Sequence, residues 1–78
     1  MKDDATLISE RLDTFIKARN LTINRLAVLS RLSQSSVNNL YDGSTKSPKL
    51  NTIRHICKGL NISVRDFFDF PPYNEVEK

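Results

Sequence analysis

Between Ser33 and Asp42 the chain sets three amides, Gln34, Asn38 and Asn39, and two hydroxyls, Ser35 and Ser36, around Val37, Leu40 and Tyr41. An amide side chain carries a donor and an acceptor side by side. That pair matches the N6 and N7 edge of adenine in a DNA major groove, where a good bidentate contact discriminates by ~1–3 kcal/mol. On a helix from Gln34 to Asp42, Val37, Leu40 and Tyr41 fall on one face. Ser35 and Asn39 point nearly the opposite way, flanked by Asn38, Ser36 and Asp42, and Gln34 projects from the first turn. Gln34, Asn38 and Asn39 are therefore suited to reading bases, and Ser35 can serve any base weakly. No Arg or Lys lies within this segment, so a guanine fork is not available from it. The expected target has A·T pairs where Gln34 and Asn39 reach.

Such a reader needs something to hold the phosphates. From Thr14 to Arg65 there are nine basic residues, Lys17, Arg19, Arg25, Arg31, Lys46, Lys49, Arg54, Lys58 and Arg65, against one acid, Asp42. The other acids gather near the two ends. A basic centre with acidic ends suits a polyanionic partner. Lys46 and Lys49 flank the loop after the amide-rich segment and are the best phosphate contacts, with Arg25, and Arg31 or Arg54 as further candidates. Arg54, Lys58 and Arg65 read more simply as solvated surface charge.

The elements that position these groups announce themselves by a phrase written three times: an aliphatic residue, a hydroxyl, three mostly polar residues, then an apolar one. It appears as Leu21-Thr22…Leu26, Leu32-Ser33…Val37 and Ile62-Ser63…Phe67. The hydroxyl is an N-cap for free backbone N–H groups, and the flanking apolar pair is a hydrophobic staple. The first two caps are eleven residues apart. A helix begun at Thr22 must end, turn and hand over by Ser33, which is the spacing of a helix-turn-helix. That unit mostly places its second helix in a DNA groove.

A first helix is expected from Asp4 or Ala5 to Arg19, with Ile8, Leu12, Phe15 and Ile16 as its apolar stripe and Asn20 as a left-handed stop. The second runs from Ile23 to about Ser30, with Leu26, Ala27 and either Leu29 or Ser30 inward; a small Ala27 lets the third helix cross closely. Gly43 ends the third helix. Pro48 suits the first turn of a fourth, whose buried stripe is Leu50, Ile53, Ile56, Cys57 and Leu60. Gly59 sits in its last turn at a propensity cost of up to ~1 kcal/mol, and Asn61 is its stop. A fifth helix opens at Ser63 and ends near Phe68, with Asp66 as a short stand-in for Glu in a capping box. The expected domain is residues 1–70; the tail, residues 71–78, with Pro71-Pro72 and acids, is expected to be extended or partly disordered. Phe67 belongs in the core. Phe68, Phe70 and Tyr73 exceed what a small core needs and either cover its base or form a patch for a second copy.

Several function classes fall away. The chain has 78 residues, enough for one small domain. No apolar run approaches a membrane span, and Met1-Lys2-Asp3-Asp4 has no signal-peptide character. One cysteine, Cys57, forms no internal disulfide and points to a reduced cytoplasmic compartment. His55 stands alone, without ligands at metal spacing. No nucleophile with a base and no glycine-rich phosphate loop occurs. No enzyme, metal or cofactor is expected.

The stretch from Leu21 to Gly43, with Ala27, Leu32-Ser33, Val37 and Leu40 in register, resembles the helix-turn-helix of the phage repressor/Cro (XRE-like) DNA-binding proteins. Pro48-Lys49-Leu50 through Ile62-Ser63 and Phe67-Phe68 is similar to the rest of that family's domain, so the resemblance covers about residues 6–70. It implies an all-α, lambda-repressor-like five-helix domain with a central helix-turn-helix. It also implies a regulator, usually a repressor, that binds operator DNA as a dimer. It places base reading at Gln34, Ser35 and Asn39, with Asn38 nearby, and backbone contacts at Ser36, at Ser44-Thr45-Lys46 and at the start of the second helix. Two positions depart from the pattern. Arg31 stands where the family usually has a turn Gly, and Ile23 where it often has a phosphate-binding Gln, which passes that contact to Thr22, Asn24 or backbone N–H groups. Dimer contacts through the fifth helix and the aromatic tail are expected. The competing reading is a protein-interaction module of the same fold, such as an antitoxin or a partner of another regulator.

Overall fold

A computed structural model describes residues 2–77; Met1 and Lys78, the outer ends of the expected domain and tail, lie outside the described residues. The order is α1 (Asp4–Ala18), α2 (Ile23–Ser30), α3 (Gln34–Tyr41), α4 (Leu50–Leu60) and α5 (Val64–Phe67). Among the described residues all regular structure is helical.

Each of the three hydroxyls caps a helix. The Thr22 side chain accepts from Arg25 N–H at 3.0 Å, Ser33 from Ser36 N–H at 3.0 Å and Ser63 from Asp66 N–H at 2.9 Å. Asp3 does the same for α1, accepting from Thr6 N–H at 2.9 Å. Each staple closes: Leu26, Val37 and Phe67 are buried, and Leu21, Leu32 and Ile62 pack against the core beside them. The preceding residue completes the joint. Asn20, Arg31 and Asn61 all take left-handed backbone, with φ of 53, 56 and 57°. After each, the aliphatic N–H reaches five residues back, Leu21 to Ile16 O, Leu32 to Ala27 O and Ile62 to Cys57 O, each at 3.0 Å. One three-residue joint, left-handed residue, aliphatic, hydroxyl, thus ends one helix and starts the next. Only the link from α3 to α4 differs: Gly43 has φ 80° and a longer loop follows.

The core joins Ile8, Leu12 and Ile16 of α1 to Leu26 and Ala27 of α2, Val37 and Leu40 of α3, Ile53, Ile56, Cys57 and Leu60 of α4, and Phe67. Ser30, not Leu29, is the inward residue at the end of α2; Leu29 is exposed. The reason lies in α4. A Cβ on Gly59 would stand 2.3 Å from Ser30 Oγ and 3.0 Å from Ser30 N. The helices touch backbone to backbone there, and only a small residue fits opposite the glycine. Gly59 is therefore a contact residue as well as a propensity cost. His55 Nδ1 lies 3.1 Å from Ser30 O and holds the same crossing.

Three further expectations are corrected. Pro48 precedes α4, whose N-cap is Lys49, because the loop stays extended one residue longer. Leu50 is 63% exposed, since it overhangs the end of the helix beside an open groove that the chain leaves unfilled. The tail is not extended as far as residue 75. Asn74 N–H bonds to Phe70 O and Glu75 N–H to Pro72 O, which folds the segment into a turn. Tyr73 then packs edge-on against Phe68 and Phe70 at centroid distances of 5.0 and 5.1 Å, and its hydroxyl donates to the Asp4 carboxylate. Phe68, Phe70 and Tyr73 so pack together over the base of the domain. In α5, the capping box is half made: among the described residues Ser63 N–H gains no bond from the Asp66 carboxylate, which is one methylene shorter than Glu.

Candidate nucleic-acid interface

The face of α3 follows from its two buried anchors. Val37 and Leu40 are buried and Tyr41 is half-buried, which turns Gln34, Ser35, Ser36, Asn38 and Asn39 to solvent. Tyr41 fixes the roll of the helix. Its hydroxyl donates to the Asp13 carboxylate on α1, whose other oxygen meets Lys17 Nζ at 2.9 Å. The Ser9 hydroxyl adds a bond to Tyr41 O. The Tyr41 hydroxyl, with Lys17 behind it, holds the Asp13 carboxyl below its usual range.

Among the described residues, no side chain of Gln34, Ser35, Asn38 or Asn39 has a hydrogen-bond partner within the chain. Four polar side chains on one exposed helical face, with none bonded internally, leave their donors and acceptors free for another molecule. Ser36 is different. Its N–H is used by the Ser33 cap, and its Oγ accepts from Ser33 Oγ at 2.8 Å. Its own hydroxyl proton remains available.

The loop after α3 is tied to that helix. Ser44 N–H and Thr45 N–H both donate to Asn39 O, at 3.0 and 3.2 Å, and Ser44 N–H also reaches Asp42 Oδ1 at 2.9 Å. The Ser44 hydroxyl and N–H hold the Asp42 carboxyl low, so the one acid of this region is engaged in shaping the turn. A polar groove of about 260 Å³ results, lined by Ser36, Asn39 and Leu40 on α3, by Thr45, Ser47, Pro48 and Lys49 in the loop, and by Thr52 on α4. The fold thus brings Ser36, Asn39, Thr45 and Lys49 together. Ser44 lies beside them, exposed. Ser47 and Thr52 join the groove without having been anticipated. The only signal for them was hydroxyl content near Lys49, and that cannot be told from ordinary loop and helix-start composition.

Lys46 goes elsewhere. It lines a second groove with Asp4, and its charge helps lower Asp3, whose carboxyl is held down mainly by the N–H of Thr6. At the start of α2, Thr22, Asn24 and Arg25 are exposed, while Ile23 is half-buried and packs against the core. The apolar departure at position 23 therefore has a structural use. Two members of the basic centre are already occupied: Lys17 pairs with Asp13, and Arg19 donates to Leu60 O while lying over the Phe15 ring. Arg11, outside that centre, closes the C-terminus of α5 by donating to Asp66 O and Phe67 O, each at 2.8 Å.

No helix among the described residues is long and apolar enough to cross a membrane. The comparisons agree with the geometry. The crystal structure of the prophage Lp1 protein 11 superposes with a TM-score of 0.85 at 55% sequence identity, covering 97% of this chain and 100% of that one. No curated protein matches. The sequence profile described as the Cro/C1-type HTH DNA-binding domain matches residues 11–73, which spans α2, α3 and the groove beside them. With a helix-turn-helix joint packed on the core through Leu32, an exposed amide-bearing second helix and this match over most of its length, the chain belongs to the family of Cro/C1-type helix-turn-helix DNA-binding domains.

Proposed function

We propose that this protein is a sequence-specific transcriptional regulator, a repressor, that binds operator DNA as a dimer with residues 34–42 in the major groove. The observation that carries this reading is the free polar face of α3, anchored from behind by Val37, Leu40 and Tyr41. In this reading Gln34, Ser35, Asn38 and Asn39 contact bases, with A·T pairs under Gln34 and Asn39. Thr22, Asn24, Arg25, Ser36, Ser44, Thr45, Lys46 and Lys49 contact the sugar-phosphate backbone. Occupancy alone blocks transcription, so repression needs nothing beyond binding. The role is binding rather than catalysis, and it is exercised in the cytoplasm. The similarity to a prophage protein suits a phage-type regulator.

The test is selection of bound duplexes from a random pool, followed by salt titration on the selected site. Six or more phosphate contacts by a dimer predict roughly 10³-fold weaker binding between 50 and 200 mM salt. Asn39→Ala and Gln34→Ala should lose discrimination between sites. Lys49→Ala, which alters the lysine beside α3, should weaken all sites alike. A shallow salt slope with no selected sequence would sink the reading and favour a protein partner for this face.

A further inference from the structure

We propose that the open groove between α1, α4 and the start of the tail turn seats a second copy of this chain, through the exchange of Leu50 between the two copies. The groove has about 480 Å³ of space. Ile8, Ile53 and Phe68 form its apolar walls, and Leu50 stands on its rim at 63% exposure. A two-fold contact is isologous: residue i of one copy meets j of the other, and j meets i. An exposed leucine beside an apolar hollow satisfies that condition, because each Leu50 can enter the hollow of the other copy. The charges satisfy it as well. Asp4, which also accepts from the Tyr73 hydroxyl, and Lys46 both line the groove, so a two-fold pairing can set the acid of each copy against the base of the other. An acidic or basic partner would meet one matching and one repelling charge. A second copy carries both signs.

The position of the groove gives the contact a use. Ser47 and Pro48 line both this groove and the polar groove beside α3. A copy seated here stands next to the reading helix and joins two such helices into one body, as two half-sites about one helical turn apart require. The surface rests on the dimeric reading above but is tested without DNA.

Sedimentation velocity on the wild-type chain, Leu50→Asp and Val28→Asp separates the cases. Val28 is equally exposed, at 63%, but lies on α2 outside the groove. The wild type should dimerise with rising concentration. Leu50→Asp should raise the dissociation constant by about tenfold or more, and Val28→Asp should leave it unchanged, with circular dichroism confirming that all three are folded. Asp4→Lys and Lys46→Asp should each weaken the dimer, and the double exchange should restore it. Equal self-association of wild type and Leu50→Asp overturns the proposal, as does a wild type that stays monomeric. A monomer whose groove binds an apolar dye in a Leu50-dependent way also overturns it and gives the hollow to another occupant. Binding to a single half-site is read in parallel. If Leu50→Asp leaves both half-site binding and self-association unchanged, this surface fails while the DNA reading stands; if half-site binding is absent from the wild type, the DNA reading fails by itself.

Discussion

Arg31 shows how much one residue of the helix-turn-helix is asked to do. It sits at φ 56°, where a side chain with Cβ costs of order 1 kcal/mol, and glycine does not bear that cost. Arg31→Gly should therefore stabilise the domain by ~1 kcal/mol in chemical denaturation, less the entropy glycine gives back. Asp13 carries a second residue-scale prediction. Its carboxyl is held below the usual value of 3.8 by the Tyr41 hydroxyl and Lys17. A depressed native value means stabilisation that is present above the unfolded-state value and lost as pH falls through the native one. Asp13→Asn should thus destabilise at neutral pH, and its difference from wild type should shrink well below pH 3.8, read by denaturant titration at both ends. The exposed amides were legible at this scale because exposure follows from wheel position once Val37 and Leu40 are assigned inward. Leu50 was not. Its spacing from Ile53 is that of a buried stripe, and only the absence of a neighbour over the end of α4 leaves it in solvent.

At the scale of elements, α2 and α4 share the most extensive contact among the described helices, and at its tightest point a glycine meets a serine. Alanine is a better helix former than glycine, so propensity alone predicts that Gly59→Ala stabilises. The geometry predicts the opposite. With backbone at 3.0 Å from the new Cβ and Ser30 Oγ nearer still, the substitution should destabilise by ~1–3 kcal/mol through overpacking, measured as a drop in Tm or denaturation midpoint. Helix starts and stops were readable in the sequence, because a hydroxyl cap, an aliphatic staple and an Asn or Gly stop act within a few residues of each other. Which residue faces α4 at the end of α2 was not readable. It depends on Gly59, nearly thirty positions away in the chain, and local periodicity leaves Leu29 and Ser30 equivalent. The turn of the tail escaped for a similar reason, since Tyr73 gains its place from Phe68 and Asp4, at opposite ends of the sequence.

The molecule as a whole divides its basic residues between two tasks. Arg11 and Arg19 hold the C-terminal ends of α5 and α4 to α1, so replacing either by alanine should lower stability. Lys49 lies in the polar groove beside α3, and Lys49→Ala should leave Tm nearly unchanged while reducing the salt slope of DNA binding by about one per protomer, about two for a bound dimer. A count of charges along the chain cannot make that division, because Arg19 and Lys49 look alike until the carbonyls around them are placed. The connections divide as well. Three of the four are the same rigid three-residue joint, and any change of length in them would turn a helix away from its cap and its staple together. The segment from Gly43 to Lys49 alone is free of that constraint, and it borders both α3 and the groove that Leu50 overlooks. Under the proposed dimeric binding, a residue added or removed there should change the distance between the two bound half-sites while the body of the domain stays as it is.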